Sequence, residues 1–291
     1  MDGTLLDKWE IPTRKEENGD LIIPDVIASI QKKLTSEDIA PQQLKGIGVC
    51  SPGIVSEEGI VCKAVNLGWK EVNIPRLIQE SLNLPVKVGN DAKTATLGEL
   101  WAGGGKGYDN LVMITLGTGV GGGIIVNRQI INGATGAAGE IGHMHINDAE
   151  EVTCGCGCKG CLEQYASATG ITKLAIKRLE KDDTPSVLRR CDSITAKEVF
   201  DAAKAQDAVA LEIADEFGKY LGTALAMVSA IVNPKAIVIG GGVSKAGEIL
   251  FDYLRPYFIK NTFSSIRNVD FKLATLGNDA GIYGAASMII N

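Results

Sequence analysis

This sequence predicts an α/β fold with largely parallel sheets, and two observations predict it. Strand-like and helix-like segments alternate along the chain, and glycine concentrates between them. Of the 291 residues, 45% are apolar and 22% are charged, a balance suited to one large or two ordinary globular domains. Glycine accounts for 35 residues. That is about 12% of the chain, against an ordinary ~7%. No G-X-Y period is present, which excludes collagen. Between Gly103 and Gly160 lie 16 of the 35, as expected where backbone comes close to a ligand or needs positive φ.

Taken in order, an extended stretch is expected at residues 5–11, a helix over 25–34 and a short strand at 46–50. A helix at 74–82 precedes a strand at 86–88, and another helix opens near Asp91. Two β-rich runs follow, 111–116 and 123–126, separated by glycines. Ile124, Ile125 and Val126 are β-branched, which favours a strand there. From Leu162 the pattern is mostly helical, with strands only at 236–239 and near 269–273. Gly103-Gly104-Gly105-Lys106-Gly107 reads as a flexible joint between two lobes. The expected division is an N-terminal α/β lobe over 1–104, with a C-terminal helix at 279–291 packing back on it. A larger lobe then covers 105–278.

Several classes fall away. The longest apolar or small run, 221–232, suits a buried helix and is too short to span a bilayer. Residues 1–20 carry no apolar core and no basic lead, so no secretory signal is expected. A net charge of −6 and a pI near 5.1 argue against a general nucleic-acid binder. Four of the seven cysteines sit within eight residues, a spacing that reads as metal binding in a reducing cytosol.

Gly105-Lys106-Gly107 is not a P-loop, because glycine stands where Ser or Thr must follow the lysine. Residues 116–124, Leu-Gly-Thr-Gly-Val-Gly-Gly-Gly-Ile, contain a formal G-x-G-x-x-G, but strand chemistry follows it where a dinucleotide fingerprint needs a helix. The segment therefore reads as a glycine-rich β-turn. Its amides at Gly117, Gly119 and Gly121 and the Thr118 hydroxyl are offered to phosphate oxygens; an ordinary hairpin turn is the plainer alternative. Gly240-Gly241-Gly242 follows a strand and precedes a helix, which suits either a nucleotide at a helix N-terminus or a tight strand-to-helix turn.

His143, Cys154, Cys156 and Cys161 form the strongest chemical signal. C-x-C with a third cysteine four intervening residues on, and a histidine upstream, make a tetrahedral Cys₃His zinc site. Four protein ligands close the coordination sphere, so such a zinc is structural. Cys158 and His145 are further candidates, and disulfides are the alternative. Asn90-Asp91 stands at a strand-to-helix junction, where it is either a plain N-cap or places Asp91 as a general base at a strand's C-terminal end. Glu140 and Glu163 flank the zinc loop, as carboxylates that hold polyol hydroxyls would.

Together these motifs resemble the ROK family of sugar kinases, repressors and uncharacterised reading frames. Residues 116–124 with Gly133, Gly139 and Glu140-Ile141-Gly142-His143 follow the family signature. Residues 154–163 match its zinc motif, Asn90-Asp91 its catalytic pair, Ser51-Pro52-Gly53 its sugar-side loop, and residues 240–244 its adenosine-side turn. The resemblance implies an actin-like, ribonuclease-H-type two-lobed kinase, most similar to bacterial glucokinases. It would phosphorylate a hexose, chiefly glucose to glucose 6-phosphate, from ATP with Mg²⁺. Asp91 would be the general base, with Gly53, Asn66, Asn90, Asp91, Glu140, His143 and Glu163 around the sugar. Gly117, Thr118, Gly119, Gly121, Gly240, Gly241 and Gly242 would hold the nucleotide, and His143, Cys154, Cys156 and Cys161 the zinc. A cytoplasmic homodimer acting in glycolysis, without nucleic-acid or membrane partners, is what the resemblance implies. The family also opens with a strand and an Asp-x-Gly-Gly-Thr phosphate turn. The opening Met1-Asp2-Gly3-Thr4-Leu5-Leu6 aligns with the second strand, so the N-terminal lobe is expected to lack its first strand. Either about 20 residues upstream are omitted, the favoured reading since every downstream motif is intact, or the chain is an impaired remnant. That leaves a competing reading, a kinase-like sugar-binding protein or regulator without efficient catalysis.

Overall fold

The computed structural model describes residues 3–290. In chain order the helices are α1 (Ile22–Ser36), α2 (Ile74–Leu82), α3 (Asp91–Ala102), α4 (Glu163–Ala166), α5 (Ala168–Lys181), α6 (Ala196–Lys204), α7 (Ala208–Val232), α8 (Ile249–Asn261) and α9 (Ala280–Ile290). The strands are β1 (Ile47–Ser51), β2 (Ile54–Val55), β3 (Ile60–Lys63), β4 (Val72–Asn73), β5 (Val86–Asn90), β6 (Leu111–Leu116), β7 (Val120–Val126), β8 (Gln129–Ile130), β9 (Ala236–Gly240) and β10 (Asp270–Leu273). The chain folds as two units. The first takes the chain up to Lys106, then Asn132–Ala138, then everything from Asn278; the second takes Gly107–Ile131 and Gly139–Gly277.

In the first unit, β1 and β5 pair in parallel, from Ile47 opposite Val86 to Ser51 opposite Asn90. β2, β3 and β4 form a separate antiparallel sheet. Val61, Ile74 and Ile78 are fully buried and pack with Ile23 and Trp69. α2 starts where the sequence allows it to. Asn73 accepts from the Arg76 amide (3.0 Å), a proline sits in the first turn, and Asn83 closes the helix in the left-handed conformation. α3 and α9 cross in close contact because Gly98 and Gly284 carry no side chain. A Cβ at Gly284 would overlap the Thr94 carbonyl, and one at Gly98 would overlap that of Ala280.

The extended stretch expected at residues 5–11 forms no strand. A strand needs a ladder partner for its backbone groups, and none pairs with this segment among the described residues. Side chains hold it instead: Trp9 Nε1 donates to Ser29 Oγ (2.8 Å), and Lys8 and Asp7 pair with Asp279 and Lys33. Met1 and Asp2, part of the opening alignment, lie outside the described residues.

The second unit is built on a five-stranded sheet in the order β10-β9-β6-β7-β8. β10, β9 and β6 are parallel, whereas β7 and β8 run antiparallel, so the sheet is mixed. β7 starts at Val120, three residues before the run expected at 123–126. Gly121, Gly122 and Gly123 lie inside it, opposite Thr115, Ile114 and Met113. They are ladder residues because the segment leading to residue 141 packs on them: a Cβ at Gly122 would meet the Gly139 carbonyl oxygen at 2.5 Å. The core is aromatic and aliphatic, with Phe200 edge-on to Phe217 (5.4 Å) and Phe258 edge-on to Phe271 (5.1 Å). Among the described residues, no helix is long and apolar enough to cross a membrane.

Candidate active site

On the first unit, β1 and β5 end side by side, bringing Ser51-Pro52-Gly53 next to Asn90-Asp91. Asn90 is the N-cap of α3: its Oδ1 accepts from the Lys93 amide (3.2 Å). Its Nδ2 donates to the Gly53 carbonyl and to Asp91 Oδ1, both at 2.9 Å. Gly53 can lie there because it takes a φ of +91° with its bare face against the Lys63 carbonyl. Asp91 is exposed, and its Oδ1 is held twice, by Asn90 Nδ2 and by the Ala92 amide (2.8 Å). Oδ2 accepts no hydrogen bond from the described residues. Asp91 is thus fixed in orientation with one carboxylate oxygen presented outward. Asn66 lies in a 3₁₀ turn, Val65–Leu67, and is exposed.

On the second unit, the two glycine turns read separately from the sequence emerge together. β6 and β9 are parallel neighbours, with Thr115 opposite Gly240, so Gly117-Thr118-Gly119 and Gly240-Gly241-Gly242 leave the carboxyl ends of adjacent strands. Ligands of open α/β sheets bind at such ends. Around Gly117 and Gly242 a Cβ would meet nothing within 4 Å. Packing within the chain does not demand glycine there, and the backbone is bare to an incoming group. Gly241 differs, since its φ of +83° turns the chain against the Leu116 backbone. The run leads into the 3₁₀ turn Gly242–Ala246 before α8 begins. Beside it is a cavity of about 300 Å³ lined by Ala168, Ala196, Phe200, Val243 and Ala246, with Lys197 and Lys245 among its polar walls. Ala196 and Phe200 carry no motif and no local spacing that marks them; α6 brings them to the glycine run.

The cysteine loop lies beside the first of these turns. Ligand atoms of His143, Cys154, Cys156 and Cys161 all fall within 4.8 Å of one another. His143 Nδ1 is 3.8 Å from Cys154 Sγ, and Cys156 and Cys161 sulfurs are 3.6 Å apart. All seven cysteines are free thiols, so the disulfide alternative is not realised. The backbone amide of Cys158 draws the Cys156 thiol down to about 7, whereas burial pushes Cys161 up to about 12 and raises Cys154 as well. Buried thiols of this kind ionise beside a cation, and the donor set fits a tetrahedral thiolate–imidazole metal site. Cys158 and His145 stand outside the cluster. His145 faces the Lys159 carbonyl (2.8 Å) and Asp148 (2.7 Å).

The second ring nitrogen of His143, Nε2, faces Glu140 at 3.9 Å, and Glu140 is exposed. Glu163 opens α4 and bridges two features. Its Oε2 accepts from the Val120 amide (3.1 Å) just past the glycine turn, and its Oε1 lies 3.4 Å from Cys154 Sγ. The Glu163 carboxylate also lies against Gly119, where a Cβ would displace it.

A family model described as ROK family matches residues 2–291. The chain is 42% identical to a glucokinase of Halalkalibacterium halodurans, over 99% of this chain and 88% of that one. It is 33% identical to a xylose repressor of Caldicellulosiruptor bescii, over 90% of this chain and 66% of the repressor. The crystal structure of a ROK family glucokinase from Streptomyces griseus, solved with glucose and AMPPNP, superposes with a TM-score of 0.77 at 31% identity, covering 99% of this chain and 92% of that one. The fold is therefore the actin-like ATPase fold of the ROK sugar kinases. On its motifs, its fold and these relatives, the chain belongs to the ROK family.

Proposed function

We infer that this protein is an ATP-dependent hexose kinase that converts glucose to glucose 6-phosphate. The observation that carries the reading is Asp91, one carboxylate oxygen held twice and the other presented outward from the end of β5. A carboxylate so oriented removes the proton of an attacking hydroxyl, a role worth about 10²–10⁴-fold in rate. The glucokinase relatives support glucose as the acceptor. Asn90 orients the base, and Gly53, Asn66, Glu140, His143 and Glu163 are proposed to hold the sugar. Acceptor oxygens of this kind match a polyol, whose hydroxyls donate.

The amides of Gly117, Gly119 and Gly242 and the Thr118 hydroxyl are proposed to receive the ATP phosphates. Gly121, opposite Thr115 in the ladder just past the turn, is proposed with them, as are Gly240 and Gly241. The cavity beside Gly242 is the proposed seat of the nucleoside. Magnesium bound with ATP would supply charge neutralisation at the transferred phosphoryl group. The Cys₃His cluster is proposed to hold a structural zinc. Through it Nδ1 of His143 is fixed while Nε2 is left toward Glu140 and the sugar, so one imidazole serves both. We further propose a cytoplasmic homodimer. The test of the reading is direct: purified protein with glucose and Mg-ATP should yield glucose 6-phosphate and ADP in equal amounts. Glucose binding without turnover would favour the sugar-binding regulator.

A further inference from the structure

The chain passes between the two units at four places: Lys106 to Gly107, Ile131 to Asn132, Ala138 to Gly139, and Gly277 to Asn278. On the first-unit side, residues next to these crossings are fastened to α3, the helix that opens with Asp91. Lys93 Nζ donates to the carbonyls of Gly136 (2.7 Å) and Asn132 (3.3 Å). Glu99 Oε2 accepts from the Gly104 amide (2.7 Å), and the Glu99 carbonyl accepts from Gly103 and Gly105. Ala280 lies against Gly98, its carbonyl where a Cβ would stand. Lys93 is 5% exposed and Glu99 0% exposed, in a helix whose first turn disfavours a cation. Burying both goes against ordinary preference, so their placement calls for a reason. On the second-unit side, three of the four crossings fall on glycines with positive φ: Gly107 (+92°), Gly139 (+88°) and Gly277 (+57°).

We propose that α3 is the anchor of the joint, with Lys93 and Glu99 as positioning residues that pin the crossing segments and Gly107, Gly139 and Gly277 as the pivots. This rests on the kinase reading for its purpose. Asp91 and the crossing segments then move as one piece, and dihedral change is confined to residues just past the pins. Segment 132–138 leads directly into Glu140, so loosening it disturbs sugar binding before chemistry.

The test combines amide exchange with kinetics on the full chain. In the wild type, the amides of residues 103–106 and those of Gly136 and Ala138 should exchange slowly, because each donates to an acceptor within the first unit. Lys93→Met should speed exchange of the Gly136 and Ala138 amides at least about tenfold and leave 103–106 unchanged. The same variant should raise the glucose KM about tenfold with kcat within about threefold, and Lys93→Arg should restore both. A folded Lys93→Met with wild-type exchange at Gly136 and Ala138, or with kcat lost at constant KM, would overturn the proposal. Should Lys93→Met fail to fold, Gly107→Ala decides, because a Cβ there meets nothing within 4 Å. It should lower kcat at least about threefold without changing exchange at 103–106, and wild-type kinetics would refute the pivot. A wild type without glucose phosphorylation would sink the kinase reading, while the exchange pattern would still judge the anchors.

Discussion

Replacing Asp91 by asparagine separates the chemical role of this residue from its structural one. Asparagine's Oδ1 can take over both bonds now made by Asp91 Oδ1, from Asn90 Nδ2 at 2.9 Å and the Ala92 amide at 2.8 Å. The local structure should therefore survive. What disappears is a negative charge at the first position of the 12-residue α3. That charge is worth about 0.3–1 kcal/mol against the helix dipole. In a chain of this size the loss lowers Tm by roughly 1–4 °C. Loss of the base should cost about 10²–10⁴ in kcat, or about 2.7–5.4 kcal/mol of activation free energy. Initial rates of glucose 6-phosphate formation measure the first quantity, and titration calorimetry with glucose measures whether binding persists. The expected result is a collapse of kcat with glucose affinity held within about tenfold. A kcat within tenfold of wild type would refute the assignment of Asp91 as base. A Tm fall beyond ~10 °C would show that the carboxylate is structural.

Elemental analysis of protein purified without chelator should find one zinc per chain; Cys156→Ser should release it and weaken glucose binding, because His143 then loses its Nδ1 anchor. A metal-free protein of full activity would refute the site. Gly284→Ala forces a methyl group into the Thr94 carbonyl at the α3–α9 crossing, which should destabilise the first unit by about 1–3 kcal/mol or more in urea unfolding; a change below ~0.5 kcal/mol would mean the helices can part freely. Asp207 caps α7. Burial pushes its carboxyl up, but the amides of Val187, Ala210 and Val209 and the Ser186 hydroxyl together hold it below its ordinary 3.8. A depressed carboxylate stabilises the fold above the unfolded pKa, and that contribution is lost as pH falls through the folded value. Asp207→Ala should therefore cost about 0.5–2 kcal/mol at neutral pH, and its deficit against wild type should shrink below about pH 4. A deficit constant from pH 7 to 3 would contradict the ionised cap.

The start of α3 at Asn90-Asp91 was legible because capping is local: the side chain and the amide it accepts from are three residues apart. The thiol–imidazole cluster was legible for the same reason, with all four side chains inside nineteen residues of chain from His143 to Cys161. The stretch at residues 5–11 looked equally strand-like. It is not a strand, because strand formation depends on a partner that no local pattern reports. The glycines of β7 and of the turn before it show a related limit. Glycine at 117 and glycine at 122 look alike in sequence, yet one faces open space and the other the Gly139 carbonyl. Glu163 was marked by its place after Cys161, but its bond to the Val120 amide spans 43 residues and had no signal.

The sequence by itself determined the groups available: a carboxylate at a helix start, a compact set of three thiols and an imidazole, two glycine turns and the family to which they belong. Each is a short-range pattern, written in residues that must be neighbours to work. The tertiary structure alone decided which of these meet. β6 pairing with β9 places Thr115 beside Gly240, although 125 residues separate them. Packing buries Lys93 and Glu99 against the chain crossings, where their charges hold backbone. Such contacts arise from sheet register and helix packing between distant segments, and those interactions leave no period or spacing along the chain to read.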